Sequence, residues 1–328
     1  MRIGFTYDLK EDHLYQKDMP SDIFAELDRQ DTIDDIVAAI AQGGHEVVKI
    51  GNIRNLLGQL GRLDTDIIFN ICEGLYTRNR ESEVPALLNA FKTPFVGSDA
   101  FALGLALDKA LAKKIFVSDG VPTPKFFISG REVDFSRLKG MRFPLIVKPR
   151  HEGSSKGISE QSIVRNKEEL KKQVCCIVDQ YNQPALVEEF IKGKEFTVVV
   201  VGNEVPEALP SVQIEILGKK DLGDLIYTSR CVYNDDVQYV YPSEISKQLE
   251  RKLQHLAVKA YQSLECLDFG RVDFRVDEKN RPFVLEVNPL PSLSQGDVFP
   301  LAAAACGMTY ESLIQKIIDY ALKRNGLI

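Results

Sequence analysis

Apolar positions along the chain follow two alternating rhythms. Arg2-Ile3-Gly4-Phe5-Thr6-Tyr7 reads as a strand, and Ile33, Ile36, Val37, Ile40 and Ala41 then recur at helical spacing up to Gly43-Gly44. Segments 46–50 and 66–70 read as further strands, Val84, Leu87, Leu88 and Phe91 as an amphipathic helix, and 93–97 as a short strand. The stretch 13–28 is polar and carries no clear period. This βαβ alternation predicts a small doubly wound parallel sheet, whose ligand crevice lies at the carboxyl ends of the strands. Tyr7-Asp8 and Asn70-Ile71-Cys72-Glu73-Gly74 fall on that rim, which makes Glu73 a candidate substrate contact. No G-x-G-x-x-G turn follows the first strand, so a dinucleotide site is not expected.

Beyond residue 100 the pattern changes. Asp108-Lys109-Ala110-Leu111-Ala112-Lys113-Lys114 lies in a helical stretch that stops before Gly120-Val121-Pro122-Thr123-Pro124, a proline pair that marks a boundary. Segment 143–149 reads as a buried strand, 167–173 as helix, and 184–191 and 192–201 as strands, the last running to a Gly202-Asn203 turn. From 203 to 242 strand and loop are expected, with Lys219-Lys220-Asp221 and Asn234-Asp235-Asp236 as exposed turns or a mobile substrate loop. Ile245, Leu249, Leu253, Leu256, Ala257 and Ala260 predict a long amphipathic helix, and Leu313, Ile317, Ile318, Ala321 and Leu322 a closing one.

The long helix is expected to pack behind the stretch around which the chain is organised. Gly270-Arg271-Val272-Asp273-Phe274-Arg275-Val276-Asp277 and Phe283-Val284-Leu285-Glu286-Val287-Asn288-Pro289 read as two period-two strands joined by a turn. Pairing them brings Asp273 near Glu286 and Asn288, which share one side of their strand. Three oxygen ligands with Arg271 beside them suit a Mg²⁺ that keeps waters and substrate phosphates. A solvated hairpin face is the alternative reading. Lys148 ends the 143–149 strand and is followed by Arg150-His151-Glu152-Gly153-Ser154-Ser155-Lys156-Gly157, a Gly/Ser loop. Such a loop can fold backbone N–H groups over phosphate, with Lys148 as a point charge. It does not match the Walker pattern, and a flexible turn is the alternative.

Composition narrows the partners. The chain has 328 residues, 44% hydrophobic and 27% charged, with net charge −6. It is long enough for two or three domains, and no Lys/Arg block points to nucleic acid or an anionic membrane. The apolar runs are strand-sized, so no membrane span or signal peptide is expected. Six cysteines without zinc spacing read as reduced thiols of a cytoplasmic protein.

Lys109, then Val147-Lys148-Pro149 with Glu152-Gly153-Ser154-Ser155-Lys156-Gly157, then Val187-Glu188-Glu189-Phe190-Ile191 with Glu195, then Arg271-x-Asp273 and Glu286-Val287-Asn288-Pro289, form an ordered set. In order and spacing the set resembles the ATP-grasp superfamily and, within it, the D-alanine–D-alanine ligases. The resemblance runs from about residue 66 to the C-terminus. It implies a mixed α/β and α+β fold of three domains: an N-terminal parallel α/β domain over 1–105, a small lid over 106–186, and a central antiparallel-sheet domain over 187–328. It implies ATP and Mg²⁺, with two metal ions, as cofactors. Carried over residue by residue, Lys109 and Lys148 contact the α/β-phosphates, and Ser154, Ser155 and Gly157 form the loop over the phosphates. Glu188, Glu189, Phe190 and Ile191 border the adenine and Glu195 meets the ribose. Asp273, Glu286 and Asn288 hold the metal, and Arg271 steadies the tetrahedral intermediate. The activity implied is ATP-dependent ligation of an amino-acid carboxylate to an amine through an acyl phosphate. The family usually forms homodimers.

The substrate half departs from that pattern. Where the family has Gly-Gly-x-Ser-x-Glu after the first strand, this chain has Thr6-Tyr7-Asp8-Leu9-Lys10-Glu11, and the His-Gly segment after the third strand is Asn70-Ile71-Cys72-Glu73-Gly74. Asp297 stands where the family places a serine that binds the second amino acid's carboxylate. The reaction class is therefore expected and two D-alanines as best substrates are not. A non-catalytic nucleotide sensor or scaffold, and a carboxylate kinase, are the alternative functions.

Overall fold

Three sheets organise the computed structural model, which describes residues 1–15, 19–228, 231 and 236–328. Asn234 and Asp235 of the expected polar turn lie outside the described residues. The first sheet is parallel, in the order β2-β1-β3-β4, with β1 at Arg2–Tyr7, β2 at Glu46–Gly51, β3 at Ile67–Ile71 and β4 at Phe95–Val96. Its helices are α1 (Gln30–Gln42), α2 (Ile53–Gln59) and α3 (Glu83–Ala90). The apolar stripe of α1 is buried at Ile33, Ile36 and Ile40, and Gly43 caps its end as expected. The sequence pattern missed α2, a short helix with one buried residue, Leu56. It begins because the Asn52 side chain accepts hydrogen bonds from the N–H groups of Arg54 and Asn55.

The expected helical stretch around Lys109 is two helices, α4 (Ala100–Leu107) and α5 (Lys109–Ser118). Asp108 interrupts them and caps α5, its Oδ1 accepting from the N–H groups of Ala110 and Leu111. The second sheet is antiparallel, ordered β5-β8-β6-β7: Phe126–Ser129, Ala185–Glu189, Leu145–Pro149 and Ile163–Val164. Helix α6 extends over Lys167–Tyr181, well past 173, and covers this sheet with Leu170, Val174 and Ile177.

The third sheet runs β12-β11-β9-β13-β14, with β10 (Glu207–Ala208) added on β9. Its strands are β9 at Lys194–Val201, β11 at Val212–Ile216, β12 at Val237–Val240, β13 at Phe269–Val276 and β14 at Pro282–Asn288. Helix α7 (Lys247–Ser263) packs behind it, Leu253, Ala257 and Ala260 meeting Val198, Val200, Val272 and Phe274. Each fully buried Leu, Val or Phe of this set contributes about 1.5–3 kcal/mol by leaving water. The closing helices α8 (Val298–Ala305) and α9 (Tyr310–Arg324) join the first and third sheets, with Phe299, Leu313 and Ile317 in one core with Ile3, Phe69 and Phe269. Parallel and antiparallel sheets thus coexist, as the expected α/β and α+β class requires.

The second strand of the hairpin does not keep strict period two. Asp273 pairs with Glu286, but Phe274 pairs with Val284, so Leu285 is an extra residue in β14. Val284 and Val287, three apart, both enter the core, and Glu286 turns to the opposite face.

Candidate active site

A cavity of about 790 Å³ opens between the three sheets, and the polar faces of β13 and β14 form one wall. Along β13, Val272, Phe274 and Val276 enter the core, while Arg271, Asp273 and Arg275 line the cavity. Asp273 Oδ1 accepts from Thr197 Oγ1 at 2.7 Å and Arg271 Nε at 3.0 Å; its Oδ2 accepts from Arg271 Nη2 at 3.0 Å and Asn288 Nδ2 at 2.8 Å. Arg271 therefore grips Asp273 with two nitrogens, and its third, Nη1, lies 4.0 Å from Asp297 Oδ1. Glu286 Oε2 is 2.9 Å from Lys109 Nζ. Burial raises the Glu286 carboxyl, but Lys109 and then Lys148 outweigh it and hold it at about 2. Burial lowers Lys109, and Glu286 more than restores it.

The expected lysines sit where the pattern put them, with a partner it missed. Lys148 Nζ is 3.2 Å from Glu188 Oε2, and Lys113 Nζ, one helical turn beyond Lys109, is 3.0 Å from Glu188 Oε1. Lys113 and Glu188 are 0% and 1% exposed at their side chains. Burial, with the like charge of Lys148 added, pushes Lys113 down to about 8. Glu188 is thus engaged as a carboxylate between two lysines. Glu189 accepts from the Arg142 N–H at 3.1 Å, and Phe190 and Ile191 follow the end of β8; all three line the cavity. Glu195 also lines it and pairs with Arg275 Nε at 2.8 Å.

The Gly/Ser loop is docked onto the first sheet's long connection. Glu26 Oε1 accepts from Gly153 N at 2.5 Å and Arg80 Nη2 at 2.7 Å, and its Oε2 from Lys156 Nζ at 2.5 Å. Lys156 also meets Glu152 at 2.5 Å. Asp22 Oδ2 accepts from Gly157 N at 2.8 Å and from the Tyr181 hydroxyl at 3.0 Å. Gly157 has φ +72, and a Cβ there would lie 2.5 Å from Pro149 Cγ, so no larger residue fits. The N–H groups of Gly153 and Gly157 are therefore spent on carboxylates. Among the described residues, those of Ser154 and Ser155 form no hydrogen bond, and both serines line the cavity. Glu26 and Arg80 carried no readable sequence signal, and Lys156, though part of the Gly/Ser loop motif, gave no sign of its partner, because the paired residues lie 54 and 130 positions apart.

The remaining wall is acidic. Asp28, Glu73, Glu81 and Asp297 line it. Asp8, on the same rim, accepts from the Gly74 N–H at 2.9 Å. Burial, then the charges of Asp8 and Asp297, pushes Asp28 up to about 7. Burial likewise takes Glu81 up to about 7 against the pull of Arg80, and raises Glu73 well above its ordinary range with Glu81 adding to it. Asp297 is the cap of α8, accepting from Val298 N at 2.7 Å, while remaining on the cavity surface.

Two carboxylates and one amide oxygen at Asp273, Glu286 and Asn288 are hard donors on one strand pair. They fit a cation that takes its other ligands from water and phosphate. Among the described residues no three Asp, Glu, His or Cys side chains gather as a self-sufficient metal cage, and no helix is long and apolar enough to cross a membrane.

Comparison with known proteins agrees with this geometry. The family description "D-ala D-ala ligase C-terminus" matches residues 117–319. The uncharacterized protein y4sG of Sinorhizobium fredii is 35% identical over 90% of this chain and 89% of its own length. The D-alanine–D-alanine ligase of Carboxydothermus hydrogenoformans is 34% identical over 89% of this chain and 93% of its own. The crystal structure of the Bacillus anthracis D-alanine–D-alanine ligase complexed with ATP superposes with TM-score 0.77 at 24% identity, covering 100% of this chain and 99% of that one. The VanG D-Ala:D-Ser ligase of Enterococcus faecalis gives 0.75 at 18% identity, covering 98% and 99%.

Proposed function

This chain belongs to the D-alanine–D-alanine ligase family of ATP-grasp carbon–nitrogen ligases, and on that premise we propose that it joins an amino-acid carboxylate to an amine, consuming ATP. The observation that carries the reading is the convergence of Lys109, Lys148, Glu286, Asp273 and Arg271 on one cavity. Two lysines next to acidic hairpin residues suit a polyphosphate and its cation better than any neutral ligand.

In this reading Asp273, Glu286 and Asn288 hold Mg²⁺, two ions in all, and the metal supplies charge neutralisation on the transferring phosphoryl group. Lys109 and Lys148 meet the inner phosphates, and Ser154 and Ser155, with Gly157 fixing the loop, cover the outer ones. Glu188, Glu189, Phe190 and Ile191 border the base, and Glu195 the ribose. A carboxylate is a poor electrophile, so its oxygen first takes the γ-phosphoryl group and ADP leaves. The amine then forms the new C–N bond and phosphate departs. Arg271, with Nη1 outside its grip on Asp273, offsets the negative charge of the intermediate. Positioning does most of the remaining work, and the docked Gly/Ser loop keeps water from the acyl phosphate.

We further read residues 1–105, 106–186 and 187–328 as N-terminal, lid and central domains, and the protein as a cytoplasmic homodimer acting on small amino acids or amines, with no nucleic-acid or membrane partner. The test is ADP and phosphate release from purified protein with amino acids singly and in pairs, with the amide product identified by mass. ADP formation without an amide would favour a carboxylate kinase, and no nucleotide turnover with any pair would remove the ligase reading.

A further inference from the structure

One wall of the cavity carries charge that the ligation chemistry leaves unused. Glu81, in the turn before α3, is 8% exposed, lines the cavity and forms no side-chain hydrogen bond or ion pair among the described residues. Glu73, just past the end of β3, and Asp28 line the same wall and are likewise unpaired at their carboxylates among the described residues. The three are close enough to act on one another in series, Glu73 feeling both Glu81 and Asp28. The cavity carboxylates nearest the proposed phosphate and metal groups each have a cation beside them: Glu26 has Arg80 and Lys156, Glu286 has Lys109, and Asp273 has Arg271.

A recessed carboxylate without an ion pair of its own is costly, and burial drives these three toward protonation even though Arg80, Lys109 and Lys156 act on Glu81 from further off. A bound cation removes that cost. An amino acid activated at its carboxylate brings one ammonium group, which can serve one or two carboxylates but not a run of three. Resting on the ligase reading, we propose that Glu81, Glu73 and Asp28 form a subsite for a substrate with two ammonium groups, a diamino acid in place of an amino acid with a neutral side chain. Glu81, the most enclosed of the three, is its specificity-determining residue.

The experiment compares ADP release by the purified full chain with ATP, Mg²⁺ and alanine, 2,4-diaminobutyrate, ornithine or lysine, each as D and L forms and each paired with D-alanine. The expected result is kcat/KM for a diamino acid about tenfold or more above alanine. In Glu81→Gln that ratio collapses through KM, and Glu81→Asp retains part of it. A measurement independent of any variant is inhibition of ADP release by 1,4-diaminobutane against n-butylamine at equal ionic strength, where the diamine acts at about tenfold lower concentration. Brisk turnover with alanine, no gain with any diamino acid and equal inhibition by the two amines would overturn the subsite and leave the ligase reading standing. If no pair releases ADP, the ligase reading falls and this inference falls with it.

Discussion

Asp273 and Glu286 stand opposite each other in the β13–β14 ladder, and they share a cavity because the strand bulges at Leu285 and so shifts its register by one residue. In a regular, unbulged strand Glu286, two residues on, would point the same way as Val284, into the core. The metal-ligand proposal therefore depends on a strand irregularity as much as on residue type. Glu286→Gln keeps the shape and removes the charge, leaving Lys109 without its counter-ion. Turnover should fall by about 10²–10³-fold or more, while the chain still folds cooperatively with a lowered melting temperature from the unpaired Lys109. Steady-state ADP release beside a thermal melt checks this, and near-normal turnover would remove the metal role.

Lys148→Ala leaves Glu188 still paired with Lys113, so the fold should survive. ATP affinity should drop by about tenfold, the loss of one charge-assisted phosphate contact. Nucleotide titration by calorimetry reads this directly. Unchanged affinity would mean that Lys148 serves only to neutralise Glu188.

Glu26 ties Arg80, Lys156 and the Gly153 N–H together across the cleft. Glu26→Ala should cost about 3 kcal/mol or more, because two buried cations lose a partner. Glu152 softens the loss by retaining contacts with both. Urea denaturation measures the energy, and hydrogen exchange at 152–157 should rise in step. Protection there that matches the unaltered protein would show that the loop needs no such anchor.

Stability should fall as pH rises through neutrality. Asp28 and Glu81 are raised to about 7 from 3.8 and 4.5, so the folded chain binds protons the unfolded chain has released. Their favourable contribution is complete below the ordinary carboxylate range and is lost as pH passes about 7. The loss is on the order of 1–3 kcal/mol for each group. Melting curves at pH 5 and pH 8 should converge when both residues are replaced, as Asp28→Asn with Glu81→Gln. An equal drop in parent and variant would assign the pH dependence elsewhere.

D-alanine alone should not be the best substrate. Asp297 lies on the cavity 4.0 Å from Arg271, and a second carboxylate at ~4 Å meets repulsion of roughly 1–4 kcal/mol. Asp297→Ser keeps a capping oxygen for α8 and removes that charge, so D-alanine self-ligation should rise. Fast self-ligation by the unaltered protein, ahead of every other pair, would refute this.

The hairpin and its lysines were readable because alternation at β13 and helical spacing at Lys109 survive in the fold. What escaped was non-local or aperiodic. The bulge at Leu285 hides in an apolar run, and α4 is apolar on all sides, so no period marks its separation from α5. The carboxylate hub at Glu26 comes from a stretch without periodicity, whose partners are found only by three-dimensional proximity. Lys113 was more accessible, since it lies one helical turn from Lys109 on a common face.

Strand β13 has no idle positions between Arg271 and Val276: each side chain either fills the core behind it or lines the cavity in front. Any substitution there is tested at once for folding and for chemistry. The acidic wall carries less double duty: Asp28 and Glu73 lie outside the long strands and helices, Glu81 sits in the single 3-10 turn Arg80–Ser82, and their carboxylates hold no ion pair among the described residues. On the proposed reading, a substitution on that wall can alter substrate choice without disturbing either the core or the side chains proposed to handle phosphate.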